Sequence, residues 1–289
     1  MPVVNLPHDI DPDKKPESIV FHNYLASFNS LKGKSILHTN AISLVITGEK
    51  TMHFADKTVH IKDDEFHFLS SGNCLASVSI SPLKKFRSIL LFFDSKVLTD
   101  FYVKYHAKVS PIKASQKFTP KPYIAFKKDE FVLHFIQSLQ LLFASGNPIS
   151  TEMKLLKFEE LMLHLLENYP EKLLAFQNDK NHTLSDFEIR KAVETNIVNN
   201  MSIEELAFLC NTSLSTFKRR FTQIYGTSPK KWMLQKRIDL AKDLLHNEHI
   251  KPSDVFHQIG YENHSSFSES FKQNVGLTPK EFQEQLLNV

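Results

Sequence analysis

One stretch of the chain, residues 202–232, restricts the fold more than any other. It reads SIEELAFLCNTSLSTFKRRFTQIYGTSPKKW. Ser202 followed three residues later by Glu205 is a capping box, which predicts the start of a helix. Ser213 is a second N-cap candidate, and Gly226 is a C-cap candidate for the helix that Ser213 opens. A short helix, a tight turn and a second helix together predict a helix-turn-helix.

The second of these helices has two different faces. Its apolar residues recur at helical spacing and should be buried: Leu214, Phe217, Phe221 and Ile224. The residues between them are polar or basic: Ser215, Thr216, Lys218, Arg219 and Arg220. A helix with such a polar face fits the major groove of DNA, where Arg and Lys pair with guanine edges.

Charge is unevenly distributed over the C-terminal part of the chain. The whole chain of 289 residues has a net charge of only +3, which does not identify a nucleic-acid binder. Residues 211–242, however, include eight basic residues and one acid, whereas residues 251–289 include three basic residues and five acids. Since phosphate neutralisation supplies most of the non-specific affinity for DNA, we expect two DNA-reading units to contribute unequally.

Longer motifs cover the C-terminal third of the chain. The first half reads Ser213-x-x-x-Phe217-x-x-x-Phe221, Tyr225-Gly226-x-Ser228-Pro229 and Arg237-x-x-x-Ala241-x-x-Leu244-Leu245. The second half repeats it as Ile259-Gly260-Tyr261, Ser266-Phe267-Ser268-Glu269-Ser270-Phe271 and Gly276-Leu277-Thr278-Pro279. In this order the motifs resemble the AraC/XylS family of bacterial transcription regulators. The resemblance implies a C-terminal all-α domain with two helix-turn-helix units and an N-terminal cupin-like sensory domain.

The resemblance also implies roles for individual residues. The base-contacting positions are Ser215, Lys218 and Arg219 in the first unit, and His264, Ser265, Ser268 and Glu269 in the second. The phosphate-contacting residues that we predict are Thr216, Arg220, Lys230, Lys231 and Lys272. For Arg220 an acidic neighbour within the protein is the alternative partner. We interpret Trp232 as a core residue and not as a DNA contact.

The second unit departs from the family pattern at two positions. Glu269 stands where a basic residue is common; it either accepts from cytosine N4 or marks a helix that barely engages DNA. Phe256 stands where the first unit has the small Ala207, so its ring should push the two helices apart or rotate outward. We therefore expect the second unit to be the weaker or less regular reader.

The N-terminal half has a different periodicity. Apolar and polar residues alternate in seven short runs, residues 35–38, 42–46, 51–54, 58–61, 65–69, 76–80 and 88–93. Short strands separated by turn residues predict an antiparallel barrel or sandwich, similar to the cupin-like domain of AraC relatives. A short helix should follow at residues 95–103, and residues 104–121, which include Pro111, are predicted to be irregular.

Two long helical patterns follow, at residues 129–144 and 151–169. The second is apolar around much of its circumference and must be covered on two sides. We expect a homodimer in which residues 151–169 meet the same helix of a second subunit; a helix internal to the core is the alternative. The predicted fold is therefore two-domain α+β: an arm at residues 1–18, a barrel with a helical dimerisation pair at 19–170, a linker at 171–184 and the DNA-binding domain at 185–289.

The barrel histidines raise an alternative from another class, a metal-dependent cupin enzyme. Its ligands would come from His38, His53, His60 and His67, but the close His-x-His pair of metal cupins is absent. Walker loops, dinucleotide glycine motifs and Ser-His-acid orders are not visible either. We therefore expect no enzyme activity, no metal and no cofactor. Cys74 and Cys210 are expected to be free thiols.

The function expected from the residues and the resemblance is a sequence-specific, DNA-binding transcription regulator, an activator. Its partners would be double-stranded DNA and, by family resemblance, RNA polymerase. The runs at residues 154–162 and 214–218 are similar to the subgroup that controls type III secretion genes, in which the sensory domain answers to a protein partner. Few inward-facing strand positions are polar, which favours a filled barrel; a small apolar or aromatic effector is the alternative.

The sequence also predicts where the protein acts. No apolar run approaches the ~20 residues of a membrane span, and the N-terminus lacks a signal-peptide core. We expect no membrane partner and a cytoplasmic, nucleoid-associated protein.

Overall fold

The computed structural model describes residues 3–12, 17–80, 85–115, 118–119, 121–176, 186–247 and 250–287. The chain divides into two compact units. The first consists of Met1–His53 with Thr58–His182, and the second of Phe54–Lys57 with Thr183–Val289. The first unit combines β-sheets with helices and the second is helical, so the predicted two-domain α+β fold is confirmed.

The strands of the described residues form two five-stranded sheets. Their bounds are β1 (Val4–Leu6), β2 (Ile19–Ala26), β3 (Ser30–Leu37), β4 (Asn40–Thr47), β5 (Glu49–His53), β6 (Thr58–Ile61), β7 (Glu65–Leu69), β8 (Gly72–Ser79), β9 (Phe86–Phe93) and β10 (Tyr123–Lys127). The strand orders are β1-β3-β8-β5-β6 and β10-β7-β4-β9-β2. Pairing is antiparallel except between β1 and β3. All seven predicted strands are present, whereas β1, β2 and β10 were missed, and β1 lies within the predicted arm.

One face of the second sheet packs against the helices of its own unit. The core there is rich in phenylalanine: the ring of Phe93 lies 4.8 Å from that of Phe158, and the ring of Phe68 lies 5.3 Å from that of Phe176. Aromatic pairs at these separations add to the stabilisation that comes from area burial.

The other face of this sheet corrects the expectation of an apolar interior. It contains the buried polar residues Ser43, His67 and Ser88. Ser43 Oγ, His67 Nε2 and Ser88 Oγ have no hydrogen-bond partner within the described part of the chain. Burial lowers the pKa of His67 to about 4. The alternation in the sequence could not show which polar side chains are buried, because both faces of this sheet are covered in the structure.

The helices of the first unit are α1 (Ser95–Lys104), α2 (His106–Ser115), α3 (Glu130–Ala144), α4 (Thr151–Asn168) and α5 (Pro170–Leu174). The two long helices agree with the prediction, and the side chains of Asp129 and Ser150 cap them. The prediction of irregular structure was wrong for residues 106–115, which form α2, whereas residues 116, 117 and 120 lie outside the described residues. Val109 is buried in the core, and this packing keeps α2 helical despite Pro111.

The linker was predicted to start too early. Residues 171–174 lie in α5, and Leu173, Leu174 and Phe176 are buried in the core of the first unit. The sequence did not show this because residues 170–176 form only one short turn, whose apolar side chains were not matched to a core. The rest of the predicted linker, residues 177–184, lies outside the described residues.

The helices of the second unit are α6 (Asp186–Thr195), α7 (Ile203–Leu209), α8 (Leu214–Tyr225), α9 (Pro229–Leu245), α10 (Pro252–Gln258), α11 (His264–Val275) and α12 (Pro279–Leu287). Ile238, Ala241 and Leu245 of α9 pack against Phe267 and Phe271 of α11. The long helix α9 therefore shares a core with the second half of the unit.

No helix among the described residues is long and apolar enough to cross a membrane. Within the same ranges, no three His, Cys, Asp or Glu side chains are grouped as a metal site would require. Cys74 and Cys210 are both buried, and neither takes part in a disulfide.

Candidate nucleic-acid interface

The first helix-turn-helix consists of α7, a tight turn and α8. Both hydrogen bonds of the predicted capping box are present, from Ser202 N to Glu205 and from Glu205 N to Ser202. Asn211 adopts a left-handed conformation (φ 51°) in the turn, which Asn tolerates better than most residues. Ser213 caps α8, and Gly226 ends it in the left-handed region (φ 68°).

The burial of Phe217 and Phe221 fixes the orientation of α8. Both side chains are fully buried. Ser215, Lys218 and Arg219 are consequently exposed on the opposite side of the helix. Their spacing of three and four residues places them on one face. Neither Lys218 nor Arg219 makes an ion pair with any described residue, so both charges face solvent.

Two of the predicted phosphate contacts already have partners within the protein. Arg220 Nη2 lies 2.8 Å from Asp186 Oδ1 of α6. Thr216 Oγ1 accepts a hydrogen bond at 2.9 Å from Oγ of Ser213, the N-cap residue of α8. For Arg220 the geometry favours the acidic neighbour over a phosphate.

Two further predicted phosphate contacts, Lys230 and Lys231, lie at the start of α9, directly after the first helix-turn-helix. Both lysines are exposed in the first turn of α9, which follows the N-cap residue Ser228. A helix N-terminus carries a partial positive charge, which adds to that of the lysines in attracting an anion. The ring of Trp232 lies 4.5 Å from that of Tyr225, in agreement with its interpretation as a packing residue.

The second helix-turn-helix consists of α10 and α11. Asn263 caps α11 with a 2.8 Å hydrogen bond from Ser266 N. Phe267 and Phe271 are fully buried, which repeats the pattern of the first unit. His264, Ser265, Glu269 and Lys272 are exposed and Ser268 is half-buried.

The predicted base-contacting residues of α11 are partly engaged with one another. Ser268 Oγ lies 3.4 Å from a ring nitrogen of His264. Glu269 accepts a hydrogen bond from Gln273 Nε2 at 3.4 Å. The half-buried Phe256 ring lies beside the rings of His257 and His264, at 3.8 and 6.0 Å. The ring thus packs against the core of the second half and also lies beside two exposed histidine side chains.

The two candidate reading helices differ in charge. Helix α8 contains three basic residues and no acid, whereas α11 contains Lys272 and Glu269, whose charges cancel. The first helix can attract phosphate by itself, but the second has no net charge with which to do so.

Sequence reasoning missed two residues of the helical second unit, Lys280 and Arg237. Lys280 is exposed in the first turn of α12, where it repeats the position of Lys230; the signal was the repetition of Ser228-Pro229-Lys230 as Thr278-Pro279-Lys280. Arg237 was noted only as part of a motif. It is half-buried in α9, and burial lowers the pKa of its guanidinium.

Comparison with known proteins agrees with this architecture. A family model described as "ExsA N-terminal regulatory domain" matches residues 40–176, and one described as "Helix-turn-helix domain" matches residues 206–285. The chain belongs to the AraC/XylS family. It is accordingly a DNA-binding transcription regulator, and the matching proteins are regulators and not enzymes.

Several relatives match most of the chain. The virulence regulon transcriptional activator VirF of Yersinia enterocolitica is 23% identical over 251 residues, covering 84% of this chain and 88% of VirF. The HTH-type transcriptional regulator ExsA of Pseudomonas aeruginosa is 24% identical over 239 residues, covering 82% of this chain and 84% of ExsA. Among solved structures, ToxT of Vibrio cholerae matches with a TM-score of 0.39 and 14% identity, covering 92% of this chain and 98% of ToxT.

Proposed function

We propose that this regulator binds two successive major grooves on one side of double-stranded DNA, one groove through α8 and the next through α11, and activates transcription. The observation that carries the proposal is the exposed face of Ser215, Lys218 and Arg219 on a helix whose other face is buried. A helix-turn-helix places such a helix in the major groove, and a second unit reaches the next groove about one helical turn away.

The proposed contacts fall into two classes. Ser215, Lys218 and Arg219 read bases, Arg219 and Lys218 by pairing with guanine. Lys230 and Lys231 neutralise phosphates and set the register without reading sequence. Thr216 and Arg220 have weaker support as phosphate contacts, since each has a partner within the protein.

The second unit is the weaker reader in this proposal. His264, Ser265, Ser268 and Glu269 would meet base edges, with Glu269 accepting from cytosine N4, and Lys272 would meet a phosphate. The absence of net charge on α11 and the contact between His264 and Ser268 support a smaller contribution to affinity.

The N-terminal domain would bias an equilibrium between forms that do and do not bind DNA. A protein partner is favoured as its signal, because the cavity between the two sheets measures only about 20 Å³. That volume holds about one water, whereas small-molecule sites measure ~300 Å³ or more. A depression of about 290 Å³ near His38, Ser71 and Asp94 is the place for a small effector in the alternative.

A homodimer through α4 is the proposed assembly. The buried side of this helix includes Phe158, Leu161 and Leu165, but Leu156 on its other side is 59% exposed and Leu155 is 38% exposed. Exposed apolar side chains on a helix that is otherwise packed are typical of an interface. By resemblance to the family, RNA polymerase would be the further partner, and the cytoplasm with its nucleoid the place of action.

The experiment that tests the proposal is a selection from random duplexes with the purified full-length protein, followed by footprinting of the selected sequence. Two protected segments one helical turn apart are expected. Enrichment of no sequence, with or without a cell extract that could supply the partner, would contradict sequence-specific binding. One protected segment would contradict the role of α11 as a reader.

A further inference from the structure

We propose that the turn before α11 is locked onto the loop between α6 and α7, and that this lock sets the spacing between the two DNA segments that the protein reads. The lock consists of Ile197, Val198, Arg237, Gly260 and Tyr261. The inference rests on the proposed function, since it assumes that both helix-turn-helix units bind DNA.

The closest approach in the lock is between two backbones. A Cβ atom added to Gly260 would lie 2.9 Å from the carbonyl carbon of Val198 and would overlap its carbonyl oxygen. Gly260, in the turn of the second helix-turn-helix, has φ 78°. Asn211 occupies the corresponding position in the turn of the first helix-turn-helix and has φ 51°. The left-handed conformation alone therefore does not require glycine there. The contact with Val198 does.

Arg237 connects the same two segments from the middle of α9. Its Nε donates to the carbonyl oxygen of Ile197 at 2.8 Å, and its guanidinium lies 5.9 Å from the centre of the Tyr261 ring. The hydroxyl of Tyr261 lies 2.8 Å from Ser270 Oγ of α11. A chain of contacts thus runs from the loop between α6 and α7 to α11, the second candidate reading helix.

One hydrogen bond at the surface continues the lock. Asn200 Nδ2 donates to Glu262 Oε1 at 3.0 Å. With the turn held at residues 260–262 and α11 packed on α9, α11 has no freedom to shift along the DNA relative to α8. A fixed separation means that one inserted base pair, which moves the second groove by about 3.4 Å and turns it by about 35°, should break its contacts.

The test measures affinity for the duplex obtained by selection, for versions with one base pair added or removed between the two protected segments, and for the first segment alone. The wild-type protein should lose about tenfold or more on either altered spacing, as expected when base contacts break. Arg237→Gln and Gly260→Ala should lose less than about threefold while binding the first segment alone as tightly as the wild type.

Gly276→Ala is the matched control. Gly276 has φ 89° and no atom within 4 Å of an added Cβ, so the substitution strains the backbone without touching a neighbour. Its spacing profile should remain that of the wild type. Circular dichroism establishes which variants fold, and Arg237→Gln, which adds no atoms to the core, carries the test if Gly260→Ala does not fold.

Equal spacing profiles for the wild type, Arg237→Gln and the control would overturn the lock, as would a wild-type profile that is flat. A protein that binds no selected duplex at all would instead refute the proposed function. The spacing profile separates positioning from stability, because partial unfolding reduces binding to every duplex alike.

Discussion

The different roles proposed for base contacts and phosphate contacts can be tested at two exposed residues, Arg219 and Lys230. Arg219 lies on α8 and Lys230 in the first turn of α9, and neither has a protein partner among the described residues. Arg219→Ala should weaken binding to the selected duplex by about 5- to 150-fold, the value of a base contact of ~1–3 kcal/mol, and have little effect on random DNA. Lys230→Ala should weaken both equally.

The expected effect of Lys230→Ala follows from the salt dependence of DNA binding. Each phosphate contact contributes about 0.9 to the slope of log affinity against log salt. Between 50 and 200 mM salt, the wild type should therefore lose about 3.5-fold more affinity than Lys230→Ala. Lys280→Ala is the comparison in the second half, where Lys280 occupies the same position in α12 but lies 3.7 Å from Glu284. Its slope should change less, because the second unit engages DNA more weakly.

The assay is fluorescence anisotropy with the selected and a scrambled duplex at four salt concentrations. Equal losses on both duplexes for Arg219→Ala would refute its role as a base reader. An unchanged slope for Lys230→Ala would refute the phosphate contact, and a larger change for Lys280→Ala would reverse the proposed order of the two units.

Three further predictions concern stability and assembly. Arg220→Ala should lower the free energy of unfolding by no more than about 1 kcal/mol, the value of an exposed ion pair with Asp186. It should leave the salt slope of DNA binding unchanged. A slope reduced by about 0.9 would show that Arg220 binds phosphate after all. Burial depresses the pKa of His67 from 6.5 to about 4, so His67 takes up a proton more readily in the unfolded chain, and the free energy of unfolding should fall by roughly 3 kcal/mol as pH falls from 6.5 to 4. In urea titrations at pH 7 and pH 4.5, His67→Asn should lack that part of the loss. Equal losses in the wild type and the variant would refute the prediction. Leu156→Glu should shift sedimentation from dimer to monomer, whereas the equally exposed Leu25→Glu of β2 should not; a dimer in both would refute the α4 interface.

The C-terminal helices could be predicted closely because their signals are local. Ser202 with Glu205 and Ser213 act as caps within three residues of themselves, and Gly226 ends α8 where a left-handed residue is needed. Phe217 and Phe221 fixed the buried face, so the exposed face of α8 followed by elimination. None of these inferences required knowledge of contacts distant in sequence.

The features that escaped prediction depend on contacts between distant segments. Strand β1 exists because Val4–Leu6 pairs with residues 35–37, and α5 is held by Phe176 among rings of the first core. The sequence allows an acidic partner for Arg220 but does not identify Asp186, which lies 34 residues away, and the pairing of Arg237 with Ile197 spans 40 residues. A periodicity within one segment cannot identify partners at such distances.

The central claim is that two helix-turn-helix units read DNA together but unequally. The most direct measurement is quantitative footprinting of the full-length protein on the selected duplex from 50 to 200 mM salt, with Arg219→Ala identifying the segment under α8. We expect two protected segments one helical turn apart, with protection under α11 lost at lower salt than protection under α8. A single protected segment at every salt concentration, or protection under α11 that outlasts the other, would contradict the claim.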